Sequence, residues 1–134
     1  MPKRPRLTLD EFCEVAREVI DALPEPFKGW LENVVVEVEL EPWPELAQEM
    51  GDDLLGLFEG AAITEQEYGE HLPNRIWLFK RPIEAICRSR DEIKYEIRRT
   101  VLHELAHHFG YSEEDLDDFE ARESPFDEGE GNDE

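Results

Sequence analysis

The run H-E-L-A-H-H-F-G at residues 103–110 constrains this chain more than any other segment. On an α-helix, side chains four residues apart lie one above the other, with Cβ atoms roughly 5–6 Å apart. His103 and His107 can therefore hold one zinc ion if the segment is helical. Glu104, next to the first histidine, is placed to take a proton from a zinc-bound water. The pattern indicates a site for one Zn²⁺ ion with His103 and His107 as ligands and Glu104 as the general base.

The residues before the motif predict the helix that this geometry requires. Between residues 92 and 109, apolar side chains recur every four positions, at Ile93, Ile97, Val101 and Leu105. This spacing is typical of an amphipathic helix with one buried face. Asp91 is placed to cap its start, and Gly110 stands where a left-handed residue commonly follows a helix. We therefore expect one helix over 92–109 that carries the motif near its end.

A third zinc ligand is expected after the motif, because catalytic zinc usually has three protein ligands and leaves a fourth position for water. In the pattern H-E-x-x-H-x-x-G-x-x-ligand, that ligand comes three residues after the glycine, which is Glu113 here. The segment is crowded with carboxylates, so Asp115 and Asp117 are alternatives. Ser112 also predicts a helix N-cap with Glu113 in the first turn, an arrangement that is compatible with ligation.

A family resemblance rests on R-R-T-V-L-H-E-L-A-H-H-F-G at 98–110 and extends to P-E-P-F at 24–27, L-L-G-L-F at 54–58 and L-P-N-R-I-W-L-F at 72–79. The chain resembles the small bacterial zincin-like metallopeptidases, a family of minimal metalloproteinase-like domains, over roughly residues 9–122. The resemblance implies an α+β protein with a zincin-like fold reduced to one domain. In that fold, a small mixed sheet of three to four strands packs on an N-terminal helix and on the motif helix.

The resemblance also implies roles for individual residues. It implies that His103, His107 and Glu113 bind zinc, and that Glu104 is the base in the hydrolysis of peptide bonds. This chain departs from the family at Glu113, where members tend to have aspartate. Larger metzincins have a methionine turn after the motif, whereas both methionines of this chain precede it.

Two other classes of zinc enzyme fit the sequence less well. Gluzincins take a glutamate from a later helix, and the candidates, Glu123 and Glu128, do not lie on a convincing helical pattern. A class of small zinc-dependent ribonucleases uses three histidines at wider spacing, but no histidine follows Gly110 here. The sequence therefore favours the peptidase interpretation.

The charge of the chain restricts its partners. Fourteen basic and 35 acidic residues give a formal net charge of −21, which would repel the phosphate backbone of a nucleic acid. We expect a peptide or unfolded protein as the substrate. The acidity is compatible with a preference for basic peptides, and equally with a source whose proteins are all acidic.

Length and composition predict the organisation of the chain. A sequence of 134 residues is expected to be one domain, with a basic tail at 1–8, the folded domain at 9–122 and an acidic disordered tail at 123–134. No apolar run is long enough to span a bilayer, and no apolar segment follows the basic start. A cytoplasmic, monomeric protein is favoured, with Cys13 and Cys87 as free buried thiols.

Local patterns predict mixed secondary structure. The capping box formed by Thr8 and Glu11 opens a helix that runs to about residue 23. Further along, the patterns predict strands at 34–40, 54–59 and 75–79, short helices at 44–50, 83–88 and 113–122, and a long polar loop at 60–74.

Two further interpretations concern the substrate. Zincins pair an extended peptide with an edge strand above the motif helix, and 75–79 is the strand that we assign to this role. Tyr111, His71, Tyr68 and Arg75 are candidates for stabilising the oxyanion.

The sequence also leaves a different class of function open. The chain could be a zinc-binding interaction module of zincin fold with little or no proteolytic turnover. A small site with no evident specificity pocket is compatible with that alternative. A comparison of wild type with Glu104→Gln, for zinc content and for cleavage of an unfolded basic peptide, separates the two functions.

Overall fold

The computed structural model describes residues 6–60, 74–109 and 114. Within these residues the protein has mixed α and β structure, with five α-helices and one three-stranded mixed sheet, which confirms the predicted α+β class. The elements, in chain order, are α1 (Leu9–Asp21), α2 (Phe27–Trp30), a 3-10 helix (Leu31–Asn33), β1 (Val34–Glu39), α3 (Pro44–Met50), β2 (Gly56–Glu59), β3 (Asn74–Phe79), α4 (Lys80–Ala85) and α5 (Arg90–His108).

Helix α1 begins at the predicted capping box. The Thr8 hydroxyl accepts a hydrogen bond from the Glu11 amide at 3.1 Å, and the Thr8 amide donates to the Glu11 carboxylate at 2.7 Å. That second bond is the largest cause of the lowered pKa of Glu11. The buried face of the helix carries Phe12, Val15, Ala16 and Val19, so the first apolar stripe in the sequence forms one wall of the core.

The sheet has the strand order β1-β3-β2, which places β3 in the centre. Strand β1 pairs with β3 in parallel, and β2 pairs with it antiparallel, with Gly56 opposite Leu78. The assignment of 75–79 as an edge strand was therefore wrong. The physical reason is that strand order depends on pairing between segments that are distant in sequence, here of β3 with both β1 and β2, and local patterns do not contain these contacts.

The core lies between one face of the sheet and helices α1 and α5. It contains Ile76 and Leu78 from the central strand, Phe12 from α1, and Ile97 and Val101 from α5, all at most 1% exposed. The apolar stripe of α5 thus packs as the four-residue spacing predicts. This packing fixes the orientation of α5 and determines which of its residues face solvent.

Helix α5 begins earlier than the sequence pattern suggests. Ser89, and not Asp91, is its N-cap, since the Ser89 hydroxyl accepts a hydrogen bond from the Glu92 amide at 3.1 Å. Asp91 lies instead in the first turn, where a negative charge is favourable near the positive end of the helix dipole. Helix α4 likewise begins at Lys80, before the predicted start at 83, and the strand expected at 54–59 begins at Gly56.

Several predictions lie outside the described residues. They are most of the polar loop at 60–74, the glycine that closes the motif helix, all of the short helix at 113–122 except residue 114, and the acidic tail at 123–134. None of the helices within the described part of the chain is long and apolar enough to cross a bilayer.

The two cysteines differ in exposure. Both are free thiols, but Cys13 is exposed and only Cys87 is buried, so the expectation that both are buried was wrong for Cys13. Cys13 follows the fully buried Phe12, and one residue further along a helix is about 100° around it. Burial raises the pKa of the Cys87 thiol to about 11, and three nearby glutamates act in the same direction.

We expect a thiol reagent at pH 8 to modify the two cysteines at very different rates. Cys13 is exposed and should be accessible to the reagent. Cys87 should react at least about a hundredfold more slowly than a thiol whose pKa is 9.0, because its pKa is raised to about 11 and the reactive thiolate fraction falls tenfold per pKa unit. Stopped-flow measurements with a chromogenic disulfide on wild type and on Cys13→Ser test this. Equal rates for the two thiols would contradict the structure.

Candidate active site

The H-E-x-x-H residues lie in the last two turns of α5 (Arg90–His108). Leu102, Leu105 and Ala106 are buried in the core. His103 and Glu104 are consequently half-buried, and His107 is exposed. The amphipathic pattern therefore presents the two histidines at the surface, on a helix that the core holds rigidly.

The structure brings the rings of His103 and His107 together. Their centroids are 4.5 Å apart with an interplanar angle of 61°, as expected for side chains one helical turn apart on the same face. Two adjacent imidazoles are a donor set that zinc prefers, so these residues fit the metal that the motif implies. Within residues 6–60, 74–109 and 114, no group of three or more histidine, cysteine, aspartate or glutamate side chains is arranged to hold a metal.

The predicted third ligand and its alternatives are outside the described part of the chain. This holds for Glu113, Asp115 and Asp117, and also for the gluzincin candidates Glu123 and Glu128. Glu113 therefore stays a prediction, and the described site comprises two histidines and one glutamate.

Glu104 is held by a strand that is distant in sequence. Its Oε1 accepts a hydrogen bond from the backbone N–H of Phe58 in β2 at 2.8 Å. Burial is the main cause of a raised pKa for the Glu104 carboxyl, and the Phe58 amide and the two histidines oppose that rise. A carboxylate with a pKa moved towards neutrality and a fixed orientation is suited to act as a general base.

Sequence analysis missed the role of Phe58. The contribution comes from its backbone, and any residue except proline would supply the same N–H. Only the pairing of β2 with β3, and the packing of α5 against β2, place this amide beside Glu104. The run at 54–58 belongs to the family resemblance, but it carries no residue type that indicates this function.

Gly56 allows β2 to approach the motif helix closely. A Cβ atom on Gly56 would lie 2.5 Å from the Thr100 side chain and 2.8 Å from the Trp77 carbonyl oxygen. Both contacts are far inside van der Waals distance, and the second is to backbone. A side chain at this position would therefore move β2 away from α5 and with it the amide that holds Glu104.

We expect Gly56→Ala to lower the free energy of unfolding by about 1–3 kcal/mol, the usual cost of forcing atoms into a packed interior. Gly60→Ala is the matched control, because a Cβ there would meet its nearest neighbours at 3.7 and 3.9 Å, which is ordinary contact. Urea denaturation of both variants and wild type measures the difference. Equal loss of stability in the two variants would show that the close approach at Gly56 is not the cause.

The end of α5 is packed by aromatic rings. His108 stacks on Phe58 with ring centroids 4.0 Å apart, and Phe109 stacks on Trp30 at 4.6 Å. His108 thus packs against β2 instead of joining His103 and His107, in agreement with its position about 100° around the helix from His107. The stack connects the strand that holds Glu104 to the helix that carries it.

Of the four candidates for stabilising the oxyanion, Arg75 lies within the described residues. Side chains alternate along a strand, so Arg75 projects from the face opposite to Ile76, which packs in the core with α5. Arg75 is exposed and lies 3.9 Å from Glu37. It therefore faces away from the motif. Tyr111, His71 and Tyr68 lie outside the described residues.

Comparisons with known proteins concern the family and the fold of the chain. A family model described as zincin-like metallopeptidase matches residues 31–122, which include all three strands and the motif helix. Among solved structures, a conserved hypothetical protein from T. thermophilus is similar, with 26% sequence identity and a TM-score of 0.51. The similarity covers 77% of this chain and 94% of that chain. No functionally curated protein matches the chain.

Proposed function

The chain belongs to the zincin-like metallopeptidase family, and from that premise we propose that it hydrolyses peptide bonds with one zinc ion as cofactor and Glu104 as general base. The observation that supports this proposal best is the arrangement of Glu104. It lies between two adjacent imidazoles along the helix, and the Phe58 amide holds it at 2.8 Å. The Glu104 carboxylate is half-buried and oriented, and it lies beside two imidazoles that fit a zinc ion, which is the arrangement that a general base of this kind requires.

His103 and His107 would hold the zinc ion, together with Glu113 as the proposed third ligand. When bound, zinc polarises a carbonyl and lowers the pKa of water towards about 7. Glu104 would accept the proton of the attacking water and then donate it to the leaving amine. The Phe58 amide fixes one carboxylate oxygen of Glu104, and the proposal assigns proton transfer to the other oxygen.

The strand proposed to bind the substrate is now β2. It is an edge strand of the sheet that the described residues form, and its Phe58 amide points away from β3 towards the motif helix. An extended peptide that lies along this edge would present its backbone to Glu104, and main-chain hydrogen bonds would supply affinity with little dependence on sequence. We propose unfolded proteins or peptides as the substrate class.

Metal analysis and a cleavage assay on the purified chain test the proposal. We expect about one zinc ion per chain, together with cleavage of an unfolded basic peptide that a chelator abolishes and added zinc restores. Zinc binding without any cleavage would favour an interaction module of the same fold. Absence of zinc binding would contradict both functions.

A series of alanine variants identifies the third ligand. Glu113→Ala is expected to reduce zinc affinity by more than about a hundredfold, because even residues outside the ligand set commonly change affinity 10- to 100-fold. Asp115→Ala and Asp117→Ala serve as controls and should bind zinc like wild type. If one of these two loses zinc and Glu113→Ala retains it, the assignment passes to that residue.

A further inference from the structure

A cavity of about 350 Å³ opens beside His103 and Glu104. One wall is the helix α5, from Glu96 to Glu104, and the other is the segment 50–56 that leads from α3 into β2. The volume is at the lower end of the range for small-ligand sites, about 300–1,000 Å³. It therefore suits a single side chain better than a longer segment of a substrate.

The walls of this cavity combine apolar and charged groups. Met50, Leu54 and Leu55 supply apolar surface, and Met50 is 55% exposed. Asp53 and Glu96 supply carboxylates, whereas Arg99 supplies the single cation among the described residues of the wall. With Glu104 set aside because it serves as the base, acidic groups exceed basic groups two to one.

The cation in the wall is already near an acidic partner. Arg99 Nη1 lies 3.7 Å from Glu96 Oε2, and the Glu96 side chain is only 14% exposed. Asp53 has no ion pair with another residue of the described part of the chain. A second cation that enters the cavity would therefore meet the Asp53 carboxylate, which has no ionic partner among the described residues, and the Glu96 carboxylate, which is shared with Arg99.

We propose that this cavity is a subsite for a lysine or arginine side chain of the substrate, adjacent to the scissile bond. The proposal rests on the proposed peptidase function, because the cavity touches His103 and Glu104 and its occupant must belong to a residue near the reacting carbonyl. The aliphatic part of the side chain packs along Met50 and the two leucines, and the charged end reaches Asp53. Long basic side chains commonly bury their stems in this way while the charge stays near solvent.

A binding experiment tests the subsite without turnover. Glu104→Gln, loaded with zinc, is titrated with three fluorescent peptides that differ only at one central position, which is lysine, norleucine or glutamate. Norleucine retains the stem of lysine and lacks its charge. We expect the lysine peptide to bind about tenfold more tightly than the norleucine peptide, since hydrogen bonds to charged groups contribute enough for that factor, and the glutamate peptide to bind most weakly.

Substitutions of residues that line the cavity test which carboxylates cause the preference for the lysine peptide. Asp53→Asn in the Glu104→Gln background should reduce the preference for lysine, and the addition of Glu96→Gln should remove it. Asp52→Asn is the matched control, because it removes the same charge one residue away and Asp52 does not line the cavity. Asp53 is exposed, so its substitution tests the proposal even if a change at Glu96 disturbs folding. Equal affinity for the lysine and norleucine peptides, or loss of the preference in Asp52→Asn, would overturn the proposal.

Failure of this proposal is distinguishable from failure of the peptidase function. Wild-type protein is incubated with a peptide mixture, and mass spectrometry locates the cleaved bonds. Cleavage without a basic residue next to the scissile bond would overturn the subsite and leave the peptidase function standing. Lysine-selective binding by Glu104→Gln with no cleavage by wild type would support the subsite and contradict the peptidase.

Discussion

Glu104→Gln is expected to slow peptide cleavage by about 10²–10⁴-fold, the range over which general acid–base catalysis contributes to enzymatic rates. Glutamine has nearly the same shape, and its carbonyl oxygen can still accept the hydrogen bond from Phe58 N–H. It cannot accept the proton of water. The loss should therefore appear in the catalytic rate, while zinc content stays at the wild-type level.

A control with the same chemical change away from the motif separates this effect from a general loss of charge. Glu49 lies on α3 and is exposed, so Glu49→Gln should leave the rate unchanged. Initial rates on one peptide, together with zinc content of each protein, complete the comparison. Wild-type rates in Glu104→Gln would remove Glu104 from the mechanism.

Glu104→Gln is also expected to change the stability of the zinc-free protein. Burial raises the pKa of Glu104 above its ordinary value of 4.5, so the folded state retains this proton to higher pH than the unfolded state does. The contribution of Glu104 to stability is then fully present below pH 4.5 and declines as the pH rises through the folded-state pKa. In the presence of a chelator, Glu104→Gln should unfold at a higher temperature than wild type at pH 7.5, and the difference should disappear near pH 4.

Removal of either motif histidine is expected to abolish zinc binding at micromolar protein concentration. His103→Ala or His107→Ala leaves at most two of the three proposed ligands, and affinity should fall by more than the 10- to 100-fold that indirect effects produce. A chromogenic chelator in competition with the protein measures the affinity, and peptide cleavage should fall in parallel.

His108→Ala is the matched control for these two variants. It removes the same side chain from the same helix, but His108 stacks on Phe58 at 4.0 Å instead of pairing with the other two rings. Its affinity for zinc should stay near that of wild type. If His108→Ala loses zinc to the same extent as His103→Ala, the two-histidine assignment is wrong.

The sequence predicts the motif helix well because the pattern that specifies it, a four-residue apolar repeat, lies within the helix itself. The four-residue repeat of Ile93, Ile97, Val101 and Leu105 corresponds to a stripe that is fully buried, and the position of the histidines on the opposite side follows from it. The start of the helix was less accurate, since Ser89 and Asp91 are both good N-cap residues and local sequence does not choose between them.

The order of the strands depends on contacts that local patterns do not contain. Strand β3 was assigned to an edge, yet it pairs with β1 on one side and β2 on the other. The apolar run at 76–79 corresponds to the burial of Ile76, Leu78 and Phe79, but it does not by itself distinguish a central strand from an edge strand. The amide that holds Glu104 had no signal in the sequence, because every residue except proline has a backbone N–H.

The hydrogen bond between Phe58 and Glu104 joins residues 46 positions apart. An isolated peptide with the sequence of α5 could form a helix and bring its histidines together, but it would lack this donor. The glutamate acquires a defined orientation only when the hairpin-like pair β2–β3 has formed and α5 has docked against it. The orientation of Glu104 is thus a property of the complete tertiary structure. A chain that is being synthesised or is partly unfolded has the same motif residues, but its glutamate lacks this fixed orientation.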